Sequence, residues 1–187
     1  ALAALTLIAG GFDPTVIVGT KLKEFKNSNF RKGRSNYLVI EADEYKDAFL
    51  NYDPDIIVVT NIDREHLDYY KNLNRIKKSF IEFIGNLKPG GILILNKDNK
   101  ELYGLKKKIE ALNPQEIIWF TLKNKKTTDR IKKVIKIPGS HNLSNALSVY
   151  KLGEALGIDK NKIIKAISSY KGSWRRFEYK GNLKIQN

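Results

Sequence analysis

Short, unbroken apolar runs alternate with amphipathic stretches along most of this chain. Residues 38–40 (Leu-Val-Ile), 56–59 (Ile-Ile-Val-Val), 92–95 (Ile-Leu-Ile-Leu) and 116–120 (Glu-Ile-Ile-Trp-Phe) carry almost no polar side chain. Such runs suit strands buried on both faces, as in a parallel sheet between helix layers. Leu73, Ile76, Phe80, Phe83 and Leu87 recur at spacings of three and four, so a helix lays one face on that sheet. Residues 97–112 read as a second helix, opened by Asp98-Asn99. Leu143, Ala146, Leu147 and Tyr150 share a face of a third, starting near Asn142 and ending at Gly157. Asp159 is placed to cap a fourth, carrying Ile163, Ile164 and Ile167.

The ends and links are less regular. Residues 1–8 read as the tail of a buried helix, stopped by Gly10-Gly11 and then Pro14. Residues 15–18 form a short strand closed by Gly19, and residues 21–36 a polar loop or a small edge hairpin. Residues 123–128 read as a polar loop, 134–137 as a short strand, and 179–187 as the start of a strand leading elsewhere. The alternation predicts an α/β fold: a mostly parallel sheet flanked by helices, with a small antiparallel excursion.

The chemistry gathers where two of the apolar runs stop. The first ends in Glu41-Ala42-Asp43-Glu44, the second in Asp63-Arg64-Glu65-His66. Ligands of open α/β sheets bind outside the carboxyl ends of the strands. If these two strands are neighbours, a carboxylate and an imidazole meet at one crevice, the chemistry of a divalent-metal and phosphate site. The plainer alternative makes each acidic group the polar first turn of a following helix.

Composition changes this picture little. At 187 residues, 42% of them hydrophobic, the chain is long enough for one domain with a proper core. It has no cysteine, which excludes disulfide and thiol chemistry and suits the cytoplasm. No apolar run approaches the ~20 residues needed to cross a bilayer, so no membrane insertion is expected. The net charge of +14 admits anionic partners. Seven basic residues and one acidic residue fall between Lys123 and Lys136. Few aromatics interleave them, which disfavours a nucleic-acid stacking surface and favours a solvated basic face. A basic nucleic-acid-binding domain is nevertheless the alternative from a different functional class.

Four blocks, in this order and spacing, carry a family resemblance. They are Glu41-Ala-Asp43-Glu44, the run from Thr60-Asn61 through His66-Leu67-Asp68, Gly139-Ser-His141-Asn142-Leu-Ser-Asn145-Ala146, and Arg175-Arg176-Phe177-Glu178. Together they resemble the central, ATP-binding domain of the Mur ligases, which build the peptidoglycan stem peptide, in the version of the alanine-adding branch. The resemblance covers essentially the whole chain and implies a P-loop NTPase-like fold. Residues 1–178 then correspond to the central domain and 179–187 to the link toward a carboxy-terminal domain.

By the same resemblance, Glu41 and His66 are the ligands of Mg²⁺ beside the transferring phosphate. Asn142 and Asn145 contact the adenine side of ATP, with His141 beside them, and Arg176 reaches the phosphate. These types suit the tasks. Mg²⁺ prefers oxygen ligands and keeps several waters. An amide offers both a donor and an acceptor, and a guanidinium fork matches phosphate oxygens. Asn142 can equally cap its helix, and Arg175 reads as a surface charge. The implied reaction begins when the UDP-N-acetylmuramate carboxylate attacks the γ-phosphate of ATP. The amine of L-alanine then attacks the acyl-phosphate, and phosphate leaves. A recycling ligase that attaches a ready-made tripeptide to the same nucleotide sugar is the runner-up.

Two departures stand out. The family's glycine-rich loop ending in Gly-Lys-Thr-Thr is absent from these residues, and residues 1–8 look like the helix that follows it. The domains that bind the uridine nucleotide and the amino acid are also absent, so the chain is expected to be inactive alone. Some relatives carry a carbamylated lysine at a position that falls here near Ser79 or Phe80, which agrees with the alanine-adding branch.

Overall fold

A computed structural model describes residues 1–172 of the chain. Arg175, Arg176 and the strand expected over 179–187 lie outside the described residues. Six strands and their helices follow one another as α1 (Leu2–Gly10), β1 (Thr15–Leu22), β2 (Ser28–Arg31), β3 (Leu38–Ile40), β4 (Ile56–Val59), α2 (Leu67–Tyr70), α3 (Leu73–Gly85), β5 (Ile92–Asn96), α4 (Lys100–Tyr103), α5 (Lys106–Glu110), β6 (Glu116–Phe120), α6 (Lys125–Lys132), α7 (Ser140–Ala155) and α8 (Lys160–Ser169). A 3-10 turn, Tyr45–Asn51, joins β3 to β4.

The apolar runs become strands, and β5 is covered on both faces, while Leu38 of β3 and Val58 of β4 remain exposed. In the parallel sheet β4-β5-β6, Ile57, Leu93 and Ile117 lie abreast, as do Val59, Leu95 and Trp119. Leu93 and Leu95 feed a core with Phe83 and Ile84 of α3 and Ile109 of α5. Ile94, between them, points the other way, into a core with Leu147 of α7 and Ile163 of α8. This period-2 division explains why the run has no polar position: Leu93, Ile94 and Leu95 are all 0% exposed. Helices α7 and α8 approach closely where Gly153 lacks a side chain; a Cβ there would lie 2.6 Å from Ile163 Cδ1.

Local stops and caps match the sequence. Gly11, at φ 92°, closes α1 in the left-handed conformation. Asp159 accepts hydrogen bonds from the amides of Asn161 and Lys162 at the start of α8, and Asn72 accepts one from Arg75 at the start of α3.

Five expectations need correcting. First, β3 and β4 are not paired: β3 closes a mixed sheet of order β2-β1-β3, and β4 edges the other sheet. Second, β1 runs through Gly19 to Leu22 and turns back antiparallel into β2, so the polar stretch is an edge hairpin. Third, the helix expected over 97–112 is broken into α4 and α5 around Gly104 and Leu105. Fourth, the polar stretch from Lys125 is the helix α6, which buries Thr128 and Ile131 and leaves its lysines outside. Its single large apolar residue is too sparse a signal for periodicity to register. Fifth, residues 134–137 are not a strand; Ile137 is buried in the α7–α8 core without ladder partners.

Truncating Leu93 to Ala should leave a void between α3 and the sheet and cost about 2–5 kcal/mol. Chemical denaturation followed by circular dichroism measures it; an unchanged midpoint would contradict the two-sided core.

Candidate functional site

The carboxyl ends of β3 and β4 open on a cleft of about 320 Å³, lined by Val39, Glu41, Thr60, Asn142 and Asn145 among others. Glu41 continues the ladder, its amide donating to the Ile17 carbonyl at 2.9 Å. Its carboxylate turns back to accept from the Gly19 amide at 3.2 Å. Glycine makes this possible, since a Cβ at position 19 would already lie 3.3 Å from Glu41 Oε1.

Asn142 and Asn145 sit on the first turns of α7, which starts two residues before Asn142, at Ser140. Asn142 donates to the Pro138 carbonyl at 2.6 Å, so half of its amide serves the turn that precedes the helix. Asn145 is exposed, and its side chain makes no hydrogen bond among the described residues. His141 is exposed too, its ring lying over Gly139, where a Cβ would meet Cε1 at 2.6 Å.

His66 stands in the left-handed conformation, φ 53°, immediately before α2. Its Nε2 lies 3.3 Å from Glu44 Oε1. Asp43, Glu44 and His66 each offer a ligand atom, all within 4.8 Å of one another. The Tyr45 ring packs on the imidazole with centroids 4.8 Å apart, and its hydroxyl donates to Asp68 Oδ2 at 3.1 Å, which raises the phenol's pKa.

The sequence therefore places its residues in two groups. Glu41, Asn142 and Asn145 share the cleft. His66 is paired with Glu44, and no ion pair links it to Glu41 among the described residues. The physical reason is that β3 and β4 belong to different sheets, so no ladder brings their first C-terminal residues abreast.

Three polar residues hold this architecture; sequence reading passed over Asn96 and Asp47 and found Asn99 only as the opening of its helix. Asn96, at the end of β5, donates to the Thr60 carbonyl at 2.8 Å and lies 3.2 Å from Ser144 Oγ, tying the β4 loop to α7. Asn99 brackets Ile62, accepting from its amide at 3.4 Å and donating to its carbonyl at 3.3 Å. Asp47 accepts from the hydroxyls of Tyr69, Tyr70 and Ser79. Asparagine at a strand's carboxyl end was the available signal for Asn96; nothing local marks Asp47.

Residues 22–153 match the Mur ligase middle domain family. The chain belongs to the Mur ligase family. It is 36% identical to UDP-N-acetylmuramate–L-alanine ligase of Caldicellulosiruptor saccharolyticus, over 91% of this chain and 41% of that protein. It is 38% identical to the ligase of the same name from Clostridium tetani, over 93% and 42%. The chain thus spans about two fifths of the length of these relatives. Among solved structures, UDP-N-acetylmuramate-alanine ligase from Thermotoga maritima shares the fold with a TM-score of 0.74 at 22% identity, covering 96% of this chain and 44% of that one. A UDP-N-acetylmuramate:L-alanyl-gamma-D-glutamyl-meso-diaminopimelate ligase from Neisseria meningitides follows at 0.71 and 19%, covering 93% and 62%.

Mur ligases are ATP-dependent, which implies Mg²⁺. The donors here fit such an ion. Two carboxylates and an imidazole leave room for water and phosphate oxygens.

Two outcomes follow from this geometry. Asn96→Ala leaves the Thr60 carbonyl and Ser144 hydroxyl without their partner and should cost about 1–3 kcal/mol, read by denaturation. Burial pushes the Asp47 carboxyl up, but the donations from Ser79, Tyr69 and Tyr70 outweigh it and hold its pKa below the ordinary 3.8. A depressed folded-state pKa contributes stability that is present above the unfolded value and lost as pH falls through the folded one. The melting-temperature gap between the wild-type chain and Asp47→Asn should thus be widest at neutral pH and shrink below about pH 4. A gap that stays constant down to about pH 3 would refute the assignment.

Proposed function

We propose that this chain is the ATP-binding central unit of a ligase that joins L-alanine to UDP-N-acetylmuramate through an acyl-phosphate. The observation that carries this is the identity of 36–38% along more than nine tenths of the chain to ligases of that name. In this reading residues 1–178 are the central domain, and the substrate-binding domains lie elsewhere in the intact enzyme.

Bound Mg²⁺ would neutralise charge on the phosphate oxygens. The chain's own residues orient the reactants. Glu41, steadied by the Gly19 amide, faces the cleft that Asn142 and Asn145 line. Asn145 offers an unengaged donor and acceptor to an adenine edge, while Asn142 retains its oxygen after the Pro138 bond. Glu41 and His66 are the metal-facing donors of this reading, and Asp43 and Glu44 bring two further carboxylates within 4.8 Å of His66. His141 flanks the base, and Arg176 completes the phosphate contacts by charge. The sequence carries no Gly-Lys-Thr or Gly-Lys-Ser triplet. The backbone amides that such a loop aims at phosphate are therefore to be sought in the longer enzyme.

In the full-length ligase, Glu41→Gln or His66→Gln should lower substrate-dependent phosphate release roughly a hundredfold or more. Asn145→Ala should raise the KM for ATP more than it lowers kcat. The 187-residue chain alone should show only background turnover. Undiminished release by both metal-site variants would overturn the residue assignment. Turnover with a tripeptide and not with L-alanine would replace the substrate reading by that of the recycling ligase.

A further inference from the structure

We propose that Asp47 is a positioning residue for the His66 site, fixing the loop that carries Asp43 and Glu44 against the helix that follows His66. The inference rests on the reading of Asp43, Glu44 and His66 as metal-facing donors. It arises from a gap in the usual architecture. Strands β3 and β4 belong to separate sheets, so no hydrogen-bond ladder sets the distance between the two loops that supply these donors. Something else must hold them in register.

The side chain of Asp47 does so through three hydroxyls. Its Oδ2 accepts from Tyr69 at 2.6 Å, and its Oδ1 from Tyr70 at 2.9 Å and from Ser79 of α3. The Tyr70 hydroxyl lies between that carboxylate and the backbone carbonyl of Glu44. The single proton of that hydroxyl serves one of these two acceptors at a time, while the Glu44 carbonyl also takes the Asp47 amide at 3.0 Å. Tyr69 and Tyr70 form the last turn of α2, immediately downstream of His66. A second route runs through rings: Tyr69 packs on Tyr45, with centroids 6.2 Å apart, and Tyr45 on His66. Both routes start at Asp47 and end at the Glu44–His66 pair.

Two further observations separate this from ordinary packing. Lys46 and Asp47 both adopt the left-handed conformation, φ 53° and 58°, which L residues avoid. Lys26 and Asn27 adopt the same pair of conformations in the exposed β1–β2 turn, whereas Asp47 is half-buried and carries three hydroxyl partners. The apolar anchor of the turn is already supplied by Phe49, 2% exposed and stacked on Phe83 at 4.6 Å. The carboxylate shares that task through Ser79 of α3. What it adds is a link to the residues beside His66.

The test uses Asp47→Asn, which tolerates the left-handed conformation but loses charge and acceptor capacity. Tyr69→Phe and Tyr70→Phe each delete a single donor, and Asp55→Asn, in the exposed pair with Lys88, is the control. The first readout is the ¹⁵N-correlated imidazole signals of His66 in the metal-free protein. His66→Gln assigns them, and His141 serves as an internal reference. The second is affinity for Mn²⁺ alone, by titration calorimetry. Asp47→Asn should shift or broaden the His66 signals, leave His141 in place and weaken Mn²⁺ about 10–100-fold, the usual cost of removing an outer-shell partner. The tyrosine variants should move the same signals, and Asp55→Asn neither. Should Asp47→Asn fail to fold, Tyr69→Phe and Tyr70→Phe decide. His66 signals unmoved in the folded variants would overturn the proposal. So would wild-type Mn²⁺ affinity in Asp47→Asn where His66→Gln has lost it. If the wild-type protein and His66→Gln bind Mn²⁺ alike, the metal reading fails by itself, and the His66 signals alone settle the role of Asp47.

Discussion

The burial of β5 on both faces is the constraint from which the rest of the structure follows. Its apolar run has parallel neighbours on either side, and its alternate side chains must be covered by two separate helix layers. That requirement puts α3 and α5 on one face, α7 and α8 on the other. It also aims the carboxyl end of the sheet at the start of α7. Asn96, the last residue of β5, still pairs with Phe120 of β6 while its side chain bonds to the β4 loop and to Ser144 of α7. A buried amide with partners on two elements costs little and fixes much, because leaving either partner unpaired would be expensive. Asn142, Asn145 and Thr60 are thereby held around one cleft.

The second organising fact is that the sheet is interrupted between β3 and β4. Backbone ladders position side chains well along a continuous sheet, and here that device is missing between the two strands whose ends carry the chemistry. Polar side chains take over. Gly19 admits the Glu41 carboxylate against β1, Asn99 clasps Ile62, and Asp47 gathers three hydroxyls beneath Glu44 and His66. Burial pushes the Tyr70 phenol up to about 12, ahead of the effect of Asp47, so its hydroxyl remains a donor through the physiological range. Such polar ties hold loops in place only when every member is satisfied.

The strong positive charge has a plainer home. Much of the basic run is built on α6, whose Ile131 and Thr128 face the core and whose Lys125, Lys126, Arg130 and Lys132 face outward. Arg130 reaches Asn161 of α8 at 3.0 Å, so even this face is partly knitted to the fold. It has the form of a solvated helix face with one apolar stripe.

The sequence by itself determined whatever depends on near neighbours in the chain. Strands β4, β5 and β6 were legible as short apolar runs, though of these three the expected burial on both faces is met in β5, while Val58 of β4 is exposed. Helices α3, α7 and α8 were legible from their 3.6-residue periodicity, and the stop at Gly11 and the cap at Asp159 from local backbone chemistry. The family was legible because its motifs are short and contiguous. Tertiary structure alone decided what depends on distant partners. Asp47 meets Ser79 across 32 residues and Asn96 meets Ser144 across 48, and no local pattern encodes either meeting. The pairing of β3 with β1, the choice of Glu44 over Glu41 as the neighbour of His66, and the folding of α6 from a polar stretch belong to the same class. In each, the side chain's local propensity permits several outcomes, and the packing of elements far apart in the chain selects one.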